Sequence, residues 1–128
     1  MGISRRTLLK GAAAAGAGVV AGFPHVYIKD FGQLWSLTGA LAVVETDSTM
    51  VSQFAIDKIN KAGGVKGKMI EPVVIDAKSD IKVFSEKISE LILKHRVITT
   101  HGCYTSASRR AVMPIVMKWD HMFYYPTC

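Results

Sequence analysis

Hydrophobic residues recur in two distinct patterns along this chain, and together they predict four strands separated by three helices. Short apolar runs bounded by turn-forming residues are typical of buried strands, whereas apolar positions three and four residues apart are typical of helices that bury one face. The predicted strands span 26–35, 70–77, 97–100 and 122–125. Because crossovers of this length return the chain to the same sheet in a right-handed sense, the order predicts an α/β fold with a doubly wound parallel sheet.

The predicted helices begin at residues that can cap a helix. The first follows a cap within 46–48 and ends at 62–64, where glycine can adopt the left-handed conformation. The second begins at 79–80, and the third spans 106–119, where Pro114 is expected to kink or break it. The apolar positions of the first helix that recur at this spacing are Met50, Val51, Phe54, Ala55 and Ile59.

The sequence also predicts where one strand lies in the sheet and where the loops after the strands meet. Pro72 lies near the start of the second strand and cannot donate to a strand ladder, which favours an edge position in the sheet. The loops after the strands are expected to share one rim, at the carboxyl ends of the strands, where open sheets of this kind bind ligands. The sequence stops directly after the fourth strand with no helix to cover it, so we expect it to be part of a longer protein.

Charge adds little to this prediction once the N-terminal segment is set apart. The formal net charge is +6, from 16 basic and 10 acidic residues. Arg5, Arg6 and Lys10 lie in the first ten positions, and the remaining 13 basic residues are dispersed among the acids. This pattern is typical of solvated helix faces and lacks the basic stripe of a nucleic-acid-binding surface. We therefore expect no nucleic-acid partner.

The N-terminal segment has the composition of an export signal. Ser4-Arg5-Arg6-Thr7-Leu8-Leu9-Lys10 joins two arginines to two leucines, and 11–22 is a weakly hydrophobic run of Ala, Gly and Val. That run is too short for a membrane span of about 20 apolar residues. The pattern resembles a twin-arginine signal over 1–26, with cleavage after Ala21 or a few residues later. The alternative is an uncleaved N-terminal helix.

The candidate site lies in Gly102-Cys103-Tyr104-Thr105-Ser106-Ala107-Ser108-Arg109-Arg110, where the third strand ends and a helix begins at once. Such a junction directs backbone N–H groups and hydroxyls into the space above the sheet. The last loop, Tyr125-Pro126-Thr127-Cys128, is expected on the same rim. We predict a site for a small polar ligand there. The four histidines lack metal-ligand spacing, and no cofactor is expected.

Several stretches resemble a known family. Gly32-Gln33-Leu34-Trp35-Ser36-Leu37-Thr38-Gly39 and the segment 55–68 resemble the opening of periplasmic type I solute-binding proteins of ABC importers. The segment 102–110 and Phe123-Tyr124-Tyr125-Pro126-Thr127 resemble the branch that binds urea and short-chain amides, a relative of the branched-chain amino-acid receptors. The resemblance implies that 27–128 is the N-terminal part of the first lobe of a receptor, not an enzyme. It also implies that the receptor serves an ABC permease in the inner membrane from the periplasm.

The resemblance further implies four ligand contacts. By position, the first pair falls on Tyr104 and Ser106, and the second on Tyr125 and Thr127. Urea and acetamide are flat and neutral, so hydroxyls that both donate and accept, and aromatic faces, suit them as partners. The second lobe of the family is absent from this sequence, and we therefore expect the 128-residue chain to bind weakly or not at all.

Two other functions are compatible with parts of the sequence. A cytoplasmic amide sensor of the same fold would bind the same ligand, but it has no use for an export signal. A cysteine-dependent amidohydrolase would use Cys103 beside His101 at a helix N-terminus, although no acidic residue follows to orient the histidine. Cys103 is otherwise a small buried hydrophobe, or the partner of Cys128 in a disulfide, and the sequence leaves these alternatives open.

Overall fold

The structure, a computed structural model, describes residues 26–127, which form two parallel sheets and three helices. Within these residues no helix is both long enough and apolar enough to cross a membrane. The strands are β1 (Val26–Ile28), β2 (Phe31–Trp35), β3 (Lys68–Ile70), β4 (Val73–Asp76), β5 (Thr99–Gly102) and β6 (Met122–Tyr124). The helices are α1 (Ala42–Lys61), α2 (Ile81–Leu93) and α3 (Ser106–Lys118).

The main sheet has four strands in the order β4-β2-β5-β6, and every neighbouring pair is parallel. The predicted α/β fold with a parallel sheet is therefore confirmed. The carboxyl ends of all four strands meet at one edge, which we call the rim. As predicted for the strand that follows Pro72, β4 lies at an edge of this sheet. A second sheet, β1 with β3, lies beside the opposite end of the strands.

The strand boundaries differ from the prediction in three places. The predicted strand 26–35 is two strands, because the chain passes from the small sheet to the main sheet at Lys29 and Asp30. The predicted strand 70–77 is likewise split, and Pro72 lies between β3 and β4. β5 begins two residues late, since the N–H of Val97 still donates to the Leu91 carbonyl at the end of α2.

The start of α1 was predicted wrongly, whereas its end is confirmed. The helix begins at Ala42, and the turn before it is closed by the Ala42 N–H donating to Gly39, a glycine with φ of 87°. A left-handed glycine permits this turn at low strain, so the helix starts four residues before the predicted cap. At the other end, Gly63 and Gly64 have positive φ, and the Gly64 N–H donates to the Ile59 carbonyl.

The predicted apolar stripe of α1 faces outwards. Phe54 is 71% exposed and Val51 is 68% exposed, whereas Glu45 and Ile56 are buried. The sheet face beneath this helix carries polar side chains such as Gln33 and His101. The Oγ of Ser52, on α1, lies 3.4 Å from the Nδ1 of His101. The polar side of α1 thus meets a sheet face that mixes polar and aromatic residues, while its apolar side is exposed in the described residues.

The hydrophobic core lies on the other face of the main sheet, under α2 and α3. Asp80 caps α2, as predicted, by accepting hydrogen bonds from Lys82 and Val83. α3 continues through Pro114 without the break considered from the sequence, and Trp119, which follows it, is 46% exposed. The buried residues of the core are Leu34, Ala77, Phe84, Ile88, Leu91, Val97, Cys103, Val112 and Val116.

Candidate functional site

The central rim loop joins β5 to α3 and depends on a close approach of two strands. A Cβ at Gly102 would overlap the carbonyl oxygen of Leu34 and lie 2.9 Å from its carbonyl carbon. Cys103 then turns the chain with φ of 62°. Thr105 caps α3, because its hydroxyl accepts from the Ser108 N–H at 3.1 Å. The strand therefore passes into the helix within three residues, as the sequence predicted.

Two predicted site residues converge on a third. The Tyr125 hydroxyl donates to the Tyr104 carbonyl at 2.9 Å, and the Thr127 hydroxyl donates to the same oxygen at 2.7 Å. The Arg109 guanidinium lies 4.8 Å from the centre of the Tyr125 ring, which fits a cation–π contact. The loops after β5 and β6 are thus joined through one peptide group.

Ser106, the fourth predicted residue, is exposed as the first residue of α3. Its position at the helix N-terminus leaves backbone N–H groups available to an acceptor. The Tyr104 side chain is 38% exposed at the same rim. The structure places all four residues on the β5 and β6 loops, and their role in ligand binding stays a prediction.

The loops after β2 and β4 are joined by Asp76. Its carboxylate accepts hydrogen bonds from the backbone of Leu37 at 2.9 Å and Lys78 at 2.8 Å, and from the Thr38 hydroxyl at 2.7 Å. Partial burial opposes the charge of Asp76, but the hydrogen bonds, led by that of Thr38, outweigh it and lower the pKa of this carboxyl. Ser79 completes the junction, since its hydroxyl donates to the Thr38 carbonyl.

Glu45 connects the two halves of the rim, and the sequence analysis did not identify it. This side chain is fully buried, and its Oε2 accepts a hydrogen bond from the Ser36 N–H. Burial raises the pKa of Glu45, while the N–H groups of Ser36 and Tyr104 oppose the rise. An acidic residue in a first helical turn would have been the available signal, but only with the helix start placed at Ala42.

Cys103 does not have the environment of a nucleophile. The residue is fully buried in the core cluster, and burial raises the pKa of its thiol to about 12. His101 lies elsewhere, in edge-to-face contact with Trp35 at 5.4 Å between ring centres. A thiolate is the reactive form of cysteine, so this geometry gives the amidohydrolase interpretation no support. Cys128 lies outside the described residues, and the disulfide stays a prediction.

Two cavities of the described residues are lined by none of the four predicted site residues. One is a groove of about 460 Å³ along α3, lined by Arg109, Arg110, Met113, Pro114 and Met117. Another, of about 210 Å³, lies at the opposite end of the strands beside Ile28 and Ile98. The groove along α3 reaches the rim through Arg109, whose guanidinium also contacts the Tyr125 ring.

The fold and the rim define an α/β binding domain in which polar loops at the carboxyl ends of parallel strands are available to a ligand. The profile of the periplasmic binding protein domain matches residues 30–128, and the chain belongs to that family. The family consists of binding proteins and not of enzymes. A twin-arginine translocation signal matches residues 2–22, and the two matches together identify an exported periplasmic protein.

Solved structures agree with this assignment. The chain is similar to the substrate-binding protein LivJ of a branched-chain amino acid transporter from Streptococcus pneumoniae, in complex with isoleucine, at 28% identity and a TM-score of 0.74, over 81% of this chain and 29% of that one. A putative branched-chain amino acid ABC transporter from Rhodospirillum rubrum matches at 23% identity and a TM-score of 0.73, over 82% and 30% of the two chains. The leucine-binding protein LivK from Thermotoga maritima matches at 20% identity and a TM-score of 0.70, over 78% of this chain and 28% of that one.

These neighbours are much longer than the sequence. The chain spans about 29% of the length of LivJ and similar shares of the other two. The latter two are less than 25% identical and support the fold alone.

Proposed function

We propose that the chain is part of the first lobe of a periplasmic receptor that binds urea or a short-chain amide and delivers it to an ABC permease. In this proposal the domain follows a signal over 1–26, and Tyr104, Ser106, Tyr125 and Thr127 contact the ligand. No bond of the ligand is made or broken.

The observation that carries the proposal is the convergence of Tyr125 and Thr127 on the Tyr104 carbonyl. Because both hydroxyl protons are used there, the hydroxyl oxygens are left as acceptors. The open helix N-terminus at Ser106 supplies donors nearby. Acceptors beside donors suit an amide, which has N–H groups on one side and a carbonyl on the other.

A branched-chain amino acid is the second candidate ligand. It is favoured by the 28% identity to the LivJ protein, whose structure contains isoleucine. An α-amino acid carries a carboxylate and an ammonium group, so its site needs a counterpart for each charge. Direct competition between the two ligand classes is the appropriate test.

Calorimetry on the complete gene product without its signal tests the proposal. Urea, formamide and acetamide are titrated alongside leucine and isoleucine. We expect binding of at least one amide with a dissociation constant at least tenfold lower than that of either amino acid. Tighter binding of leucine or isoleucine would show that the receptor binds branched-chain amino acids instead.

Matched variants then test the site. Tyr125→Phe and Thr127→Val each remove one rim hydroxyl, and we expect a loss of about tenfold in affinity from either, as for a lost hydrogen bond of about 1.4 kcal/mol. Tyr124→Phe is the control, because Tyr124 is 57% exposed in β6 and lies outside the rim network. Equal losses from Tyr124→Phe and Tyr125→Phe would contradict the assignment.

The sensor function is tested by the location of the protein expressed with its signal, and the hydrolase function by the purified protein. A periplasmic receptor is recovered outside the cytoplasm, and the twin-arginine signal supports that location. Ammonia release from acetamide that is lost in Cys103→Ala would favour the hydrolase, whereas we expect no release from the unmodified protein.

A further inference from the structure

A buried carboxyl lies beside two of the loops that form the rim. Glu45, in the first turn of α1, is the one charged side chain among residues 26–127 that is fully buried. Its Oε2 accepts from the Ser36 N–H, but its Oε1 is buried without a hydrogen-bond partner in the described structure. An unpaired buried carboxylate oxygen is destabilising, and such groups concentrate at functional sites.

The groups around Glu45 do not neutralise it. Asp76, at the end of β4, adds a second negative charge, which raises the pKa of Glu45 further. From the β5 loop come the Tyr104 N–H, which opposes this rise, and the Cys103 thiol, whose own pKa is raised to about 12 and which is therefore neutral. The charge of Glu45 is thus stabilised only by neutral donors, which are the N–H groups of Ser36 and Tyr104 and the Ser36 hydroxyl.

Glu45 also lies between the two peptides that shape the rim. It accepts from the peptide N–H of Ser36 after β2 and approaches the peptide N–H of Tyr104 after β5. The carbonyl of Tyr104 in turn accepts from Tyr125 and Thr127. Tyr104 therefore lies between Glu45 and the hydroxyls of Tyr125 and Thr127.

We infer that Glu45 is a positioning and specificity-determining residue: it orients the Tyr104 loop, and its negative charge excludes ligands that carry a carboxylate. This inference rests on the proposed function and narrows it to an uncharged ligand rich in N–H groups. Glu45 does not touch the ligand, since its side chain is inaccessible, and it acts through Tyr104 and through its electric field.

Acetamide and acetate provide the sharpest test, because they have nearly the same shape and differ in charge. Affinities for both are measured at pH 8 in the complete gene product, its Glu45→Gln variant and its Glu86→Gln variant. The last removes the same charge from an exposed position on α2. We expect the preference for acetamide over acetate to fall by about tenfold in Glu45→Gln and to be unchanged in Glu86→Gln. An equal preference in all three proteins would overturn the inference.

A second measurement does not depend on ligand binding or on a stable variant. The backbone amides of Ser36 and Tyr104 are followed by NMR in the unmodified 128-residue chain as pH is varied. We expect both resonances to titrate with one shared midpoint above 4.5, the usual pKa of a glutamate. If they titrate while none of urea, formamide and acetamide binds to the complete gene product, the proposed function fails and the positioning role stands. If neither amide titrates, the positioning role is wrong.

Discussion

At the scale of single residues, the rim depends on the Tyr104 carbonyl, which accepts two hydrogen bonds from one neighbouring loop. A carbonyl oxygen has two lone pairs, so both donors can be satisfied at once. Removing one donor leaves the other in place, and the second removal leaves the carbonyl without either. The two hydroxyls should therefore depend on each other energetically.

A double-mutant cycle tests this dependence. We expect Tyr125→Phe and Thr127→Val each to lower the free energy of unfolding by about 0.5–1.5 kcal/mol, and the double variant to lose more than the sum of the two. Thermal unfolding of the 128-residue chain without ligand measures the stability of the unmodified protein, the two single variants and the double variant. Strict additivity would indicate that the two hydrogen bonds are independent.

Glycine at 102 is a second residue-scale requirement, because a side chain there would overlap the backbone of β2. We expect Gly102→Ala to destabilise the chain by more than Gly32→Ala, whose Cβ would lie 3.1 Å from flexible side-chain atoms of Leu91 and Val97. Overpacking of the latter kind lowers the unfolding free energy by about 1–3 kcal/mol. Thermal unfolding of the two variants compares them directly, and the opposite order would contradict the β2–β5 register.

Glu45 gives the chain a distinctive dependence on pH. Because the pKa of Glu45 in the folded state is raised above its usual 4.5, the unfolded chain ionises first as pH increases. The contribution of Glu45 to the free energy of unfolding therefore falls from about pH 4.5 upwards and levels off above the folded-state pKa. Burial lowers the pKa of His101 and of His121, and these two residues contribute in the opposite direction below pH 6.5. We therefore expect the difference in unfolding free energy between the unmodified protein and Glu45→Gln to fall as pH increases, as measured by denaturant unfolding between pH 4 and 9.

Glu90 acts in a different pH range and serves as an internal comparison. Hydrogen bonds from Lys87 and Lys94 lower the pKa of Glu90 to about 2. Its small, salt-sensitive contribution is present above pH 4.5 and is lost as the pH falls towards 2. A decline above pH 4.5 that persists in Glu45→Gln would have to come from another group.

At the scale of elements, α1 is the helix whose orientation the sequence did not reveal. Its apolar residues recur with helical spacing, which usually indicates the buried face. The sheet beneath it carries Gln33 and His101, however, and the helix meets them with Ser52. The polarity of a sheet face is a non-local property, so periodicity within the helix alone was insufficient.

Substitutions on the two sides of α1 test its orientation. We expect Ile56→Ala to lower the unfolding free energy by about 2–5 kcal/mol, because Ile56 is 5% exposed. Phe54→Ser, on the outward side, should change it by less than about 0.5 kcal/mol. Chemical denaturation of both variants gives the comparison. A larger loss of unfolding free energy from Phe54→Ser than from Ile56→Ala would contradict the described orientation of α1.

The elements near local turn signals were predicted well. The Asp80 cap, the glycines after α1 and the strand–loop–helix junction at 102–106 all depend on residues close in sequence. The split at Asp30 was missed because its carbonyl is used by Ile98 and Thr99, almost 70 residues away. Boundaries set by such distant partners are not visible in local patterns.

At the scale of the whole molecule, the sequence predicted the family and the rim, but only part of the site. Tyr104, Tyr125 and Thr127 were correctly expected to lie together, since the carboxyl ends of parallel strands share an edge. Glu45 was missed because its partners, Ser36 and Tyr104, come from two other loops. The choice between an amide and an amino acid stays a prediction.

The openness of the rim determines how the 128-residue chain should bind. Tyr104 is 38% exposed and Ser106 is also exposed, whereas a small ligand gains most of its affinity from being enclosed. We expect calorimetry to detect no micromolar binding of urea or acetamide to this chain. Micromolar affinity would show that the rim alone is a sufficient site.

The shared acceptor at Tyr104 also sets the order in which parts of this domain can form during synthesis. Three strands of the main sheet are available once residue 102 has left the ribosome. The hydroxyls of Tyr125 and Thr127 emerge more than 20 residues later. The three strands are therefore synthesised before the two donors to the Tyr104 carbonyl, and the junction between the β5 and β6 loops cannot be completed until residue 127 has emerged.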